Sequence, residues 1–133
     1  MTFEKLSVGL KNSVAQAVTA NDTALAVGSG SLNVLATPKM LALMEKAAAD
    51  LAEANLPAEW TSVGISLNVE HIAPTPVGMQ VRAEAELVEF DGRKIIFSVA
   101  AYDECGEIGR GRHERFIVNR EKFQAKANAK KNS

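Results

Sequence analysis

The sequence predicts a single α+β domain in which one long helix lies across one face of a curled antiparallel sheet. Three observations carry this. The block from Thr37 to Ala54 is built almost wholly of strong helix formers. Four strand-like runs follow it, the last three joined by short turns of hairpin type. The chain is 133 residues long, with no internal repeat and no second block of that kind, so helix and sheet have only each other to bury against.

Taken in order, Met1 to Gly9 is an entry segment, and Val14 to Val18 is a weakly patterned first strand. Gly28 to Ser31 reads as a flexible loop, and no Gly-Lys-Ser/Thr follows to make it a phosphate loop. Thr37 is placed to cap the long helix, with Pro38 at its first position. Leu41, Met44, Ala48 and Leu51 line one face of that helix, while Lys39, Lys46, Asp50 and Glu53 gather on the other. Glu45 falls at the border of the apolar stripe. Asn55 and Pro57 end the helix. From Ser62, Ile65, Leu67 and Val69 alternate with polar residues, and His71 continues the apolar series at the strand end before Pro74 and Pro76. Gln80 to Phe90 alternates through Val81, Ala83, Ala85 and Leu87, and Asp91-Gly92 turns the chain. Lys94 to Tyr102 is apolar enough for a central strand. Ile108 to Val118 carries Gly109 and Gly111 on one face, where another element can approach closely. The domain is expected to span 1–123, and the basic residues 124–133 to form a flexible tail, the chain from Glu121 onward being frayed helix or disorder. The remaining sheet face and edges call for a homodimer.

Composition excludes several classes. A net charge of -1 leaves no footprint for nucleic acid. No apolar run approaches the roughly 20 residues that cross a bilayer, and the N-terminus lacks a secretion pattern. The single cysteine, Cys105, forms no internal disulfide, which fits the cytoplasm. Two histidines without His-x-x-x-His spacing argue against a metal site.

Three polar groups at inward positions carry the chemistry: Thr37, Glu45 and His71. A hydroxyl, a carboxylate and an imidazole near a helix N-terminus supply a nucleophile or water anchor, a base and a proton carrier. Backbone amides after Thr37 can polarise a carbonyl, although Pro38 removes one of them. Each residue also has a plainer reading: a cap for Thr37, a solvent-reaching side chain for Glu45, and a core histidine for His71. His113, in GRGRHERF, is expected to pair with Glu114 or face solvent. Arg110, Arg112 and Arg115 with Lys94 could meet phosphates, and their plainer reading is a solvated strand face.

The stretches VLATPKMLALMEKAA and GISLNVEHIAPTPVGMQVRAEAELVEFDGRKIIFSVAAYDECGEIGRGRHERFIV, with the spacing between them, resemble the hotdog-fold thioesterases of the fluoroacetyl-CoA thioesterase-like branch over roughly residues 10–123. The resemblance implies a long central helix wrapped by an antiparallel sheet, and a dimer with active sites at the subunit interface. It places the catalytic residues at Thr37, Glu45 and His71 and a strand glycine and a late-strand arginine of the substrate site at Gly64 and Arg115. It implies acyl-CoA hydrolysis with no cofactor beyond the coenzyme A of the substrate. Phenylalanines that gate the specialised enzyme are replaced here by Gly28 and Ser31, so the entrance is open and fluoroacetyl specificity is not expected. A non-catalytic acyl-CoA-binding module and a hotdog hydratase or dehydratase remain as alternatives.

Overall fold

A computed structural model describes residues 2–132. Its elements are β1 (Lys11–Ala17), a 3-10 turn (Ala20–Asp22), α1 (Ala24–Val27), α2 (Thr37–Glu53), β2 (Trp60–His71), β3 (Gln80–Phe90), β4 (Lys94–Asp103), β5 (Gly106–Asn119) and α3 (Arg120–Ala129). The strands form one antiparallel sheet in the order β1-β3-β4-β5-β2. The two hairpins β3–β4 and β4–β5 follow their turn residues. β2 pairs with β5 rather than with β3, its successor in sequence, so residues 72–79 cross along one end of the sheet, past Ile108 of β5 and Asp103 of β4. Buried Thr75 ties that crossing down, donating from Oγ1 to Asp103 at 2.8 Å while its carbonyl accepts the Leu35 N–H.

The helix α2 covers one face of the sheet. Met40, Leu43, Met44, Ala47, Ala48, Leu51 and Ala52 are buried against Val81, Ala83, Ala85 and Leu87 of β3 and Phe97, Val99 and Ala101 of β4. Alanines on both surfaces let helix and sheet approach, so the core gains contact area from backbone proximity. Leu41 sits at the edge of this face, half-buried. Gly109 serves the close approach that its position suggested: a Cβ there would lie 2.6 Å from the Met40 thioether.

Three sequence expectations change. Thr37 is the first helical residue and not the cap; Ala36 takes the extended cap conformation with no side-chain cap bond. The first strand begins at Lys11, earlier than its apolar pattern, because Asn12 faces inward and donates to the Ala47 carbonyl at 3.0 Å. The basic C-terminal stretch is helical as α3, one of the two forms expected of it, capped by Asn119, whose side chain accepts the Lys122 N–H; none of its residues is buried, and residue 133 lies outside the described residues.

The third change matters most. β2 and β5 keep register from Trp60 to Gly64, then shift so that Ser66 faces Glu114, leaving Ile65 as an inserted residue. A one-residue bulge transfers every following side chain to the other face. Ile65, expected in the core, is therefore 52% exposed. Ser62 and Gly64 instead join Leu67, Val69 and His71 on the face toward α2.

Candidate active site

The first cluster stands at the α2 N-terminus. Thr37 is freed from capping, and its Oγ1 lies 2.7 Å from Nδ1 of His71. His71 reaches this point as the last residue of β2, opposite Gly109. Desolvation holds the His71 pKa below its ordinary value, with a smaller opposing contribution from the Ala73 backbone. The ring is therefore neutral at neutral pH, with one nitrogen donating and the other accepting. Its Nε2 is buried and has no partner among the described residues. The amides expected to be free after Thr37 are occupied: the Lys39 and Met40 N–H groups both donate to the Ala36 carbonyl, at 3.0 and 3.1 Å.

A cavity of about 350 Å³ opens onto this pair, lined by Thr37, His71, Val34, Leu35, Ala73 and Ser29 among others. The Gly28–Ser31 loop reaches it through Ser29. Gly28 (φ 87°) closes α1, and the Gly28 and Ser29 amides both donate to the Ala24 carbonyl. Gly28 and Ser31 are exposed and stand outside the cavity lining.

The second cluster forms where Glu45 of α2 meets the bulged part of β2. Arg115 lies opposite Gly64 on β5 and is buried. It donates from Nε to Ser62 Oγ (2.8 Å) and from Nη2 to the Ser62 carbonyl (2.9 Å). Its Nη1 lies 3.1 Å from His113 Nε2 and 3.9 Å from Glu45 Oε2. The Glu45 side chain is 42% exposed. Gly64 is the gap between them: a Cβ there would sit 2.8 Å from Glu45 Oε2 and 3.2 Å from His113 Cε1. Desolvation lowers the Arg115 pKa, opposed by Glu45 and Glu53.

His113 contradicts its sequence expectation. It neither pairs with Glu114 nor faces solvent; it is 1% exposed, stacked on Phe97, with Nδ1 2.9 Å from the Ser66 carbonyl. Arg115 likewise departs from Arg110 and Arg112, which stay exposed. Strand parity carried the signal: His113, Arg115 and Ile117 share one face with Gly109 and Gly111. Ser62 is turned inward by the bulge, whose only local signal is Gly64 within the strand pattern.

The chain by itself does not bring the two clusters together. No hydrogen bond or ion pair among the described residues joins Glu45 to Thr37 or His71. Eight residue steps along the helix take the chain from Thr37 to Glu45, a rise of about 12 Å.

A family model described as fluoroacetyl-CoA-specific thioesterase matches residues 18–121. The chain belongs to that family. It is 40% identical over 97 residues to a fluoroacetyl-CoA thioesterase of Streptantibioticus cattleyicolor, covering 73% of this chain and 70% of the relative. It superposes on a solved threonine-to-serine mutant of a fluoroacetyl-CoA thioesterase in complex with acetyl-CoA, with a TM-score of 0.88, 33% identity, and coverage of 94% of this chain and 98% of the other. A hot-dog-like protein from Thermanaerovibrio acidaminovorans shares the fold, with a TM-score of 0.86 at 23% identity and coverage of 96% and 94%. The α+β arrangement of a long helix against a five-stranded antiparallel sheet is thus the hotdog fold. No helix among the described residues is long and apolar enough to cross a membrane.

Proposed function

We propose that the protein hydrolyses the thioester of an acyl-CoA to a free acid and coenzyme A, at a site completed across a homodimer. The observation that carries the reading is the Thr37–His71 contact of 2.7 Å at a helix N-terminus, facing a cavity of about 350 Å³ in a chain of the fluoroacetyl-CoA-specific thioesterase family. A neutral His71 accepts the Thr37 hydroxyl proton at Nδ1 and so carries its own proton at Nε2. From Nε2 the ring can donate to a thioester oxygen or a water in the cavity that His71 lines.

The clusters meet if two copies pair along their free β2 edges. β2 closes the sheet on one side, and Ile65 projects from it into solvent. Antiparallel pairing of two such strands about a twofold axis sets the Gly64 half of one beside the His71 half of the other. Thr37 and His71 then face the partner subunit's Glu45 and the partner subunit's Arg115. Attack by the Thr37 hydroxyl, with its proton passing through His71 to the departing CoA sulfur, leaves an acyl ester that water hydrolyses. Attack by water activated at the carboxylate yields the same products in one step. Trapping an acylated Thr37 peptide after rapid quench separates the two routes.

The open Gly28–Ser31 rim favours acyl groups other than fluoroacetyl. The absence of any disulfide-forming pair is consistent with a cytoplasmic setting. The test is thiol release across acyl-CoA esters of increasing chain length, with Thr37→Ala and Glu45→Gln alongside. Rates equal to wild type in both variants would sink the proposal.

A further inference from the structure

We propose that His113 is a positioning residue for the reaction, holding the Arg115 guanidinium at the angle that presents it to Glu45. The inference rests on the thioesterase reading above. The Glu45 contact cannot itself fix Arg115: at 3.9 Å, to a carboxylate partly in solvent, it is a weak restraint. The restraints that are short and buried lie elsewhere. Ser62 takes Nε and Nη2. The remaining nitrogen, Nη1, faces His113 Nε2 at 3.1 Å.

That contact works only in one tautomer. Arginine offers donors alone, so Nε2 must accept, and the ring proton must sit on Nδ1. The structure supplies the acceptor for it, the Ser66 carbonyl at 2.9 Å. Ser66 is the residue after the Ile65 bulge, so the irregularity that turns Gly64 inward also aims the carbonyl that sets the tautomer. Stacking on Phe97 holds the ring plane. The chain is therefore Ser66 carbonyl, His113, Arg115, Glu45. The charged groups facing His113 are Arg115, Glu45 and Glu114; Arg115 opposes its protonation and the two carboxylates favour it, while desolvation, the largest cause, keeps it neutral.

Two variants separate positioning from bulk. His113→Phe keeps an aromatic ring beside Phe97 but removes the acceptor. His113→Gln restores an acceptor oxygen at the end of a flexible side chain. With whichever acyl-CoA wild type hydrolyses best, His113→Phe is expected to lose about 10- to 100-fold in kcat/KM, mostly in kcat, and His113→Gln to recover most of it at an equal or lower melting temperature. Equal losses in both variants that follow thermal stability, or an unchanged kcat/KM in His113→Phe, would overturn the proposal. If wild type releases no thiol from any ester, the function reading has failed instead. In that case 15N spectra of the two imidazoles still decide the geometry: Nδ1–H at His113 is expected, and Nε2–H there would overturn it.

Discussion

Replacing Gly64 by alanine adds one methyl group at the narrowest point of the Glu45–Arg115 cluster. Gly64 is not among the glycines with positive φ, so the backbone accepts the change. The new Cβ would lie 2.8 Å from Glu45 Oε2, 3.2 Å from His113 Cε1 and 3.4 Å from Arg115 Nη1. Glu45 is the member free to move; His113 and Arg115 are pinned by Ser66 and Ser62. The carboxylate must retreat by roughly half an ångström or more to restore ordinary contact. The crowding is offset by the lower unfolded-state entropy of alanine, so stability should change by no more than about 1 kcal/mol. Catalysis should suffer far more, by about 10- to 100-fold in kcat/KM, because the carboxylate is displaced from its working position. Thermal melting and thiol release on the same preparation test this. A variant with normal melting and full kcat/KM would refute the role given to this cluster, and loss of the fold would refute Glu45 as the yielding partner.

Thr37→Val should lower kcat by at least about 100-fold with little change in melting temperature, since Thr37 makes no cap bond; a loss near 1 kcal/mol, the usual cost of removing a cap, would show that it does cap. His71 and His113 both have pKa values lowered from 6.5. The folded state therefore binds fewer protons than the unfolded one, and stability present above about pH 6.5 should fall as pH drops toward the folded values. Melting from pH 8 to pH 5 checks this, and a flat profile would contradict it. Gly109→Ala should cost about 1–3 kcal/mol by chemical denaturation, because Met40 lies 2.6 Å from the new Cβ; wild-type stability would show that Met40 moves aside freely.

Most of the frame was legible in the sequence because each element carried its own local signal. The α2 stripe, the alternation of β3 and the turn residues after Phe90 and Asp103 are all short-range features. Sheet order was not legible, since β2 shares no turn with β5 and nothing in either strand names the other. The site was legible only in part. Thr37 and His71 stand at element ends, where a polar residue in an apolar series is conspicuous. Ser62 was hidden by the bulge at Ile65, which breaks the period-2 reading; Gly64 beside it, a glycine inside a strand pattern, was the available signal. His113 was hidden differently: its strand is rich in arginine and glutamate, and charge on the outward positions masked the parity of the inward ones. Asn12 delayed the start of β1 for a related reason, because an inward asparagine satisfied by a helix carbonyl looks like a loop residue.

The central claim is that Thr37 and His71 of one subunit work with the partner subunit's Glu45. Mixing Thr37→Ala and Glu45→Gln proteins, each inactive alone, tests it most directly after subunits have been allowed to exchange. If the site is shared, each mixed dimer regains one intact site, and thiol release should rise to about a quarter of the wild-type rate at equal mixing. If activity stays at the sum of the two parents while mixed dimers are demonstrably present, both residues act within one chain and the shared site is wrong.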